Sequence, residues 1–361
     1  MCRQHTECAC YSPRSTVIVM VPEPEFRRDP VCGRWAVVAP ERALRPITLR
    51  GAEPRHRKNG ERMPCPFCPG QEHDTPHEVL AYREPGSVAN GPGWNLRVVP
   101  NRFPAVRPDV GGAFCAVGGM VFLTTPGLGR SEVVIETADH VAAPTQLTDQ
   151  QFAAVFRAYR DRILALSGDG LLAYASVFKN VGAEAGASLG HTHSQIVATP
   201  VVPELVETEL AGGREYLART RRCVFCDLIA REFASGVRVV VRSEQFLVVT
   251  AFAPRFAYEL WVLPTAHASR FESITDEGAL ELARVMKQAL TALDVAQSEP
   301  AYNWCLHTAP LRSPELAHYH WHIEVLPRTA RPAGLEWGYG CFITTVAPEL
   351  AAAELRAVLP S

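Results

Sequence analysis

Two long segments of the chain carry apolar residues at helical spacing. In residues 151–166 and 276–293 hydrophobic positions recur every three or four residues, which predicts two amphipathic helices. Two shorter segments, residues 237–241 and 246–251, are rich in β-branched residues and predict β-strands. Together these patterns predict an α+β fold in which antiparallel sheets pack against helices.

Three short motifs occur twice in the same order, which indicates an internal duplication. The two sets are Cys65/Cys68, His140 and His191-Thr-His193, and Cys223/Cys226, His267 and His320-Trp-His322. From the single histidine to the His-x-His motif the interval is 51 residues in the first set and 53 in the second. From the second cysteine to the single histidine the interval is 72 residues in the first set and 41 in the second, which predicts an insertion in the first half.

The duplication divides the chain into two halves. We predict a loose leader over residues 1–24, a first half over residues 25–200 and a second half over residues 214–361. Residues 201–213 are predicted to link the halves, because proline and glycine mark this region.

The composition is that of a globular protein able to form a large core. Of 361 residues, 47% are hydrophobic and 20% are charged, and the formal net charge is -2. This balance gives no general attraction to nucleic acid or to acidic membranes, so neither is predicted as a partner. The apolar stretch near the start is too short for a membrane span or a signal segment. Two Cys-x-x-Cys pairs with reduced thiols are typical of a cytoplasmic protein.

The duplicated cysteines and histidines have the residue types and spacing of zinc ligands. Zinc takes four tetrahedral ligands of thiolate sulfur or imidazole nitrogen, and a Cys-x-x-Cys turn supplies two of them. The sequence predicts two closed, structural zinc sites: Cys65, Cys68, His140 and His191, and Cys223, Cys226, His267 and His320. The alternative is that the cysteines are simply small buried hydrophobic residues. In the second site His318 or His322 could compete with His320, because all three alternate onto one strand face.

The first His-x-His motif continues to Gln195 and follows a loop of small residues, 180–190. Alternate strand residues share a face, so His191, His193 and Gln195 are predicted to project together. With His191 held by metal, His193 is free to attack phosphorus, since neutral imidazole is a competent nucleophile near pH 7. Gln195 can donate an amide hydrogen to a phosphoryl oxygen, and the loop backbone can approach phosphate closely. These residues predict a site that reacts with phosphate.

The segment 177–197 resembles the active-site signature of the galactose-1-phosphate uridylyltransferase family, which belongs to the histidine-triad superfamily. The resemblance extends over residues 26–350 and implies tandem duplicated histidine-triad-like halves that assemble as a homodimer. It implies a UDP-glucose:hexose-1-phosphate (galactose 1-phosphate) uridylyltransferase that works by a ping-pong mechanism. His193 would become uridylylated as glucose 1-phosphate leaves, and galactose 1-phosphate would then take the uridylyl group.

The same resemblance implies roles for further residues. Gln195 would steady the phosphoryl group, and Glu336 would hold sugar hydroxyls. Phosphate contacts fall to Asn180, Gly186 and Ser188, and contacts around the nucleoside fall to Arg42, Arg45, Asn101 and Phe103. The partners implied are therefore small molecules: a nucleoside diphosphate sugar with a sugar 1-phosphate or phosphate.

Two departures from the family pattern leave the substrate open. Arg102 stands where the best-known members have aspartate. The second Cys-x-x-Cys pair is absent from some members and present in a plant-type branch that resembles an ADP-glucose phosphorylase, which would transfer adenylyl to phosphate.

Two further classes of function are alternatives. A dinucleoside polyphosphate hydrolase would use water as acceptor, but the two-half length and the Glu336 segment argue against it. A non-enzymatic zinc module that binds nucleic acid or protein would carry a basic face, and no basic cluster beyond Arg221 and Arg222 flanks either Cys-x-x-Cys pair.

The second His-x-His motif differs from the first in the residues that chemistry needs. Glu324 replaces the glutamine, and no glycine-rich loop precedes His320 and His322. A carboxylate would repel an incoming phosphate. We therefore expect one nucleophile per chain and a structural role for His322.

Overall fold

The computed structural model describes residues 25–28, 35–38, 65–111, 115–117, 121–340 and 342–359, with the backbone alone for the three shortest ranges. The leader, Arg42 and Arg45 lie outside the described residues. The strands are β1 (Glu25–Arg28), β2 (Trp35–Val38), β3 (Leu80–Arg83), β4 (Trp94–Pro100), β5 (Cys115–Val117), β6 (Phe122–Pro126), β7 (Arg130–Ile135), β8 (Tyr174–Val181), β9 (His193–Thr199), β10 (Val239–Arg242), β11 (Phe246–Thr250), β12 (Leu260–Pro264), β13 (Tyr302–His307) and β14 (His322–Pro327). The helices are α1 (Asp149–Ser167), α2 (Glu204–Thr220), α3 (Val224–Ser235), α4 (Asp276–Gln297), α5 (Gly334–Tyr339) and α6 (Pro348–Ala357).

One ten-stranded antiparallel sheet runs through both halves of the chain. Its strand order is β10-β11-β12-β14-β13-β8-β9-β7-β4-β3. Five strands come from each half, and the two sets of five have matching order when read from the middle outwards. The pairing of β8 with β13 joins them, so the duplicated halves form a single sheet.

The main core lies between one face of this sheet and helices α1 and α4, which also pack against each other, with α6 beside α4. Val177, Ile196 and Trp304 point from the central strands into this core, and Phe152 of α1 stacks on Trp304 at 5.8 Å between ring centroids. The residues that alternate with them, including His193 on β9, therefore point to the opposite face.

The long helices begin where local signals place them. Thr148 accepts a hydrogen bond from the backbone of Gln151, whose side chain bonds back to Thr148, a capping box that starts α1. Thr275 caps α4 by accepting from the backbone of Gly278. The two predicted helices and the two predicted strands at 237–241 and 246–251 are thereby confirmed, with ends shifted by a few residues.

The extra residues predicted in the first half contribute two strands to a second, smaller sheet. Between β4 and β7 the chain adds β5 and β6, which belong to a four-stranded sheet of order β2-β1-β6-β5. The segment predicted to link the halves, residues 201–213, includes much of α2 and places Val206 and Leu210 in a small core. No helix among the described residues is long and apolar enough to cross a membrane.

Candidate active site

The first set of cysteines and histidines forms one compact group. Cys65, Cys68, His140 and His191 present ligand atoms that all lie within 4.8 Å of one another. Sγ of Cys68 lies 3.2 Å from Nδ1 of His140 and 3.7 Å from Nδ1 of His191. The far nitrogen of His191, Nε2, lies 2.9 Å from the carbonyl oxygen of Thr137 and donates to it. This carbonyl holds the ring with Nδ1 facing the sulfurs, as around metal-binding histidines in general.

The second set repeats this geometry. Its members are Cys223, Cys226, His267 and His320. Sγ of Cys226 lies 3.3 Å from Nδ1 of His267 and 3.9 Å from Nδ1 of His320, and Nε2 of His320 donates to the carbonyl of Pro264 at 2.9 Å. His318 and His322, the two alternatives to His320, are not in this group.

The two ring nitrogens of His193 have different surroundings. Nδ1 lies 2.8 Å from the carbonyl oxygen of His191, so Nδ1 carries the hydrogen and Nε2 carries the lone pair. Nε2 makes no hydrogen bond to a described residue. The ring of Phe67, within the first Cys-x-x-Cys loop, contacts the His193 ring edge-on at 5.3 Å. Burial lowers the pKa of His193 to about 4, so the ring is neutral at pH 7.

Ile196 points into the core beneath α1 and α4. Because neighbouring residues of a strand alternate between its two faces, His193 and Gln195 project from the opposite face. The strand begins at His193, so His191 precedes it rather than lying within it. The ring of His191 nevertheless contacts the same Phe67 ring, at 6.1 Å. The first Cys/His group and the candidate nucleophile therefore lie on the same side of the sheet.

The glycine-rich loop lies beside His193. Lys179 pairs with Ser194 in the β8–β9 register, so the next residue along, Asn180, is level with His193. Gly186 has φ +83°, a left-handed conformation that glycine adopts without strain. Nδ2 of Asn180 lies 4.0 Å from the position that a Cβ on Gly186 would take. The structure thus brings Asn180 and Gly186 together, and Ser188 follows in the same loop.

The residues proposed for the nucleoside lie farther along the sheet. The backbone N–H of Asn101 donates to the carbonyl of Ser131, which pairs with Val197. Asn101 is therefore level with Val197, four residues beyond His193 on β9. Along the strand direction this is an offset of about 13 Å, at about 3.3 Å per residue. Oδ1 of Asn101 accepts from the backbone of Phe103 at 2.9 Å, which shapes the turn after β4.

Glu336, the residue proposed for the sugar, lies in the first turn of α5. Its carboxylate accepts the backbone N–H of Ala333 at 2.8 Å, and this hydrogen bond lowers the pKa of Glu336. In the described part of the chain Glu336 makes no hydrogen bond or ion pair with His193 or the glycine-rich loop. Within one chain, the structure does not bring this residue into the group around His193.

A buried ion pair that the sequence analysis missed lies behind His193, the candidate nucleophile. Nζ of Lys179 donates to Glu136 at 2.6 Å, to Oγ1 of Thr192 at 2.8 Å and to the carbonyl of His193 at 3.0 Å. Lys179 and Glu136 are both almost fully buried. The one signal for this pair is a lysine within the otherwise apolar centre of β8. Two of its three hydrogen bonds hold the His-x-His motif from the core side, one at the Thr192 side chain and one at the His193 carbonyl.

Replacing Lys179 by methionine is expected to lower the free energy of unfolding by about 3–5 kcal/mol, because the Glu136 charge would be buried without its partner. Urea unfolding measures this. The double variant Lys179→Met/Glu136→Gln removes both charges and should recover most of the loss. A single variant that loses less than about 1 kcal/mol would contradict the importance of the pair.

His322 has the backbone arrangement of His193 but a closed surrounding. Nδ1 of His322 donates to the carbonyl of His320 at 3.1 Å, and Phe225 of the second Cys-x-x-Cys loop contacts the ring at 5.0 Å. The ring of Trp261 stacks on His322 at 5.3 Å, and His322 is 0% exposed, whereas His193 is 7% exposed. A fully covered ring offers a substrate no surface, which supports the structural role expected for His322.

Charged side chains occupy the space beside His322. Nδ1 of His307 lies 3.0 Å from Glu209 and its Nε2 lies 3.3 Å from Glu324, which also accepts from Arg255 at 2.6 Å. Burial opposes a charge on His307, but the hydrogen bonds to both carboxylates outweigh it and raise the pKa of His307 to about 10. Sequence reasoning identified Glu324 but not Glu209, which lies on α2 within the predicted link. These groups fill the second site with its own ion pairs.

Comparisons with known proteins agree over almost the whole chain. The N-terminal domain of galactose-1-phosphate uridyl transferase matches residues 19–203, and the C-terminal domain of the same family matches residues 209–342. ADP-glucose phosphorylase of Arabidopsis thaliana is 34% identical over 337 residues, 93% of each chain. Galactose-1-phosphate uridylyltransferase of Thermotoga maritima is 28% identical over 340 residues, 92% of this chain and 98% of the relative. The crystal structure of the Arabidopsis thaliana ADP-glucose phosphorylase with bound ADP-glucose has a TM-score of 0.72 and 32% identity, covering 93% of this chain and 100% of that one.

Two five-stranded halves, each with a Cys-x-x-Cys loop packed on a His-x-His motif, define an internally duplicated α+β protein. The chain belongs to the galactose-1-phosphate uridylyltransferase family, because the two domains of that family together match most of its length. The predicted fold class and family are both confirmed.

Proposed function

We propose that the chain is a nucleotidyltransferase in which Nε2 of His193 attacks the α-phosphorus of a nucleoside diphosphate sugar. The observation that carries this proposal is the hydrogen bond from Nδ1 of His193 to the carbonyl of His191, at 2.8 Å. It directs the lone pair of Nε2 outwards from the sheet, beside a glycine-rich loop. A neutral imidazole with a fixed tautomer is a suitable nucleophile for covalent catalysis.

The proposed reaction has two displacements at one phosphorus. In the first, the Nε2 lone pair forms a phosphorus–nitrogen bond as the bond to the bridging oxygen breaks and the sugar 1-phosphate leaves. The Nδ1 hydrogen stays on the ring, where the carbonyl of His191 stabilises the positive charge. In the second, an oxygen of the acceptor attacks and the phosphorus–nitrogen bond breaks. Gln195 and the amide of Asn180 are proposed to stabilise charge on the phosphoryl oxygens.

The donor and acceptor have two candidate assignments. The sequence alone favoured UDP-glucose with galactose 1-phosphate. Identity of 34% to a plant ADP-glucose phosphorylase, against 28% to a bacterial uridylyltransferase, instead supports ADP-glucose with inorganic phosphate. The complete second Cys/His group also fits the plant-type branch. We therefore propose adenylyl transfer to phosphate as the first candidate and uridylyl transfer to galactose 1-phosphate as the second.

A four-way assay separates these candidates. Purified protein is incubated with UDP-glucose or ADP-glucose, each with galactose 1-phosphate or phosphate, and the nucleotide products are quantified. Of the four mixtures, only the one with ADP-glucose and phosphate is expected to give turnover. Turnover with UDP-glucose and galactose 1-phosphate would instead establish the second candidate, and release of free nucleoside monophosphate in every mixture would indicate a hydrolase.

We propose zinc as the metal of both Cys/His groups. Zinc–sulfur and zinc–nitrogen bonds of about 2.3 and 2.0–2.1 Å in a tetrahedral site separate sulfur and nitrogen by about 3.6 Å. The sulfur–nitrogen separations of 3.2–3.9 Å agree with that geometry. With four protein ligands each, both sites would be closed, so the zinc would support the fold and hold the Phe67 loop against His193.

A homodimer and a cytoplasmic location stay predictions from the resemblance. Support for a partner copy comes from the region around α5, where Trp337 and Tyr339 are 74% and 82% exposed. Because Glu336 lies on this helix and does not reach His193 in its own chain, a second copy would offer it another site. Sedimentation equilibrium measures the oligomeric state directly.

A further inference from the structure

The two halves of the sheet meet at a pair of asparagines. Asn180 of β8 and Asn303 of β13 are direct partners in the antiparallel register. Side chains opposite each other in such a pair lie on the same face of the sheet. This is the face that carries His193, so a residue of the C-terminal half lies next to the proposed phosphate site of the N-terminal half.

Each end of the Asn303 amide has defined hydrogen-bond partners. Its Oδ1 accepts from Nε of Arg328 at 2.7 Å, and its Nδ2 donates to Oδ1 of Asn180 at 2.7 Å and to the carbonyl of Ala185 at 2.8 Å. A guanidinium can only donate, so Arg328 sets which end of the Asn303 amide points to Asn180. Arg328 is itself held over the ring of Phe256, at 5.0 Å.

The Asn303 amide in turn fixes the orientation of the Asn180 amide. Because Oδ1 of Asn180 accepts from Asn303, its Nδ2 is the end left to face the loop. That nitrogen lies 4.0 Å from the Cβ position of Gly186. The Asn180 amide donor is thus presented where the loop backbone leaves room for a phosphate oxygen.

The C-terminal half also holds the loop itself. Asn303 binds the carbonyl of Ala185 within the loop, and Asn303 is almost completely buried. At Gly182, φ is +81° and an added Cβ would lie 2.8 Å from Cβ of Ala301, so the start of the loop rests directly on the residue before β13. Two contacts from the second half therefore fix the position of the loop.

We propose that Asn303 is a positioning residue for nucleotidyl transfer, acting from the C-terminal half through Asn180 and the glycine-rich loop. The proposal rests on the proposed function of His193. Asn303 does not contact the substrate. It holds the Asn180 donor and the loop in the arrangement that the transferred phosphoryl group meets, and pre-organised donors of this kind act mainly in the transition state.

The variant Asn303→Asp tests this proposal with almost no change in size. Aspartate still accepts from Arg328 but cannot donate to Asn180 or Ala185. We expect kcat to fall roughly 10- to 100-fold, below the loss of about 10²–10³ for a donor that touches the oxyanion itself, while KM changes less than about threefold. The melting temperature is measured alongside. Asn90→Asp, the same exchange on a remote loop, should leave kcat unchanged.

A double variant distinguishes positioning from a general structural effect. If Asn303 acts through Asn180, then Asn303→Asp should slow the Asn180→Ala chain far less than it slows the unsubstituted chain. An equal slowing on both backgrounds would overturn the proposal, as would a normal kcat in Asn303→Asp. Arg328→Met, which removes the group that orients the amide, should lower kcat in the same direction as Asn303→Asp.

Formation of the nucleotide adduct separates this proposal from the function on which it rests. An adduct that forms as fast in Asn303→Asp as in the unsubstituted chain overturns the positioning role alone. If the unsubstituted chain forms no adduct with either nucleotide sugar, the proposed function fails and the positioning role falls with it.

Discussion

A His193→Ala variant is expected to form no covalent nucleotide adduct and to lose at least about 10⁴-fold in kcat/KM, the scale of loss when a covalent nucleophile is removed. The physical reason is the unbonded lone pair on Nε2 of a ring that is 7% exposed, whereas the ring of His322 on the same face is 0% exposed. The adduct is a phosphoramidate, which is labile in acid. Intact-mass measurement at alkaline pH after addition of the nucleotide sugar alone therefore detects it.

Two controls make this result specific. His77→Ala changes an exposed histidine and should leave both adduct and turnover intact. The melting temperature of His193→Ala should stay close to that of the unsubstituted chain, because the ring makes one hydrogen bond to a backbone carbonyl. Persistence of the adduct in His193→Ala would place the nucleophile elsewhere and remove the basis of the proposed mechanism.

Replacing Cys68 by serine is expected to remove one of the two proposed metal ions and most of the stability. Structural zinc contributes about 10–16 kcal/mol in small zinc domains, against a net stability of about 5–15 kcal/mol for a typical domain. Sγ of Cys68 faces both His140 and His191, so its loss opens the whole group. Metal content by atomic emission and thermal unfolding by circular dichroism measure the two effects.

The shared sheet changes how this unfolding should look. Two halves with one structural metal site each would by themselves predict that loss of one site unfolds one half. Because β8 and β13 join the halves and one core runs beneath both, we now expect a single cooperative transition at a lower temperature. Two separate transitions would show instead that the halves unfold independently.

Matched cysteine variants test the specificity of the metal effect. Cys305→Ser alters a free cysteine outside both groups and should cost no more than about 1–2 kcal/mol. Cys226→Ser should also remove one metal ion, but its loop carries Phe225 against His322 rather than Phe67 against His193. The fraction of Cys226→Ser that remains folded should therefore keep more activity than the folded fraction of Cys68→Ser. Unchanged metal content in both would contradict the assignment of these groups.

Much of the fold was predictable because its signals are local. Apolar spacing and the Thr148 capping box both indicate helix α1, and both act within a few residues of the chain. The metal-type groups were predictable because each loop presents two sulfurs at a spacing of three residues and the motif occurs twice. Recognition of His193 needed only its neighbours in sequence, the glycine-rich loop and Gln195.

The remaining features depend on register between distant strands. Glu136 meets Lys179 across 43 residues, and Asn303 meets Asn180 across 123. Glu209 was assigned to a connecting segment, yet a helix carries it into the space beside His322. No local pattern records such pairings, because they follow from how whole strands align in the sheet.

The sequence by itself therefore determined the duplication, the two Cys/His groups and the local differences that make His193 rather than His322 the proposed nucleophile. Those properties reside in residue types at short spacings, where chain geometry leaves little freedom. The tertiary structure alone decided that the two halves share one sheet, that ion pairs close the second site, and that Asn303 supports the first. Each of these requires the antiparallel pairing of β8 with β13 or the packing of α2, and both are products of burying the common core.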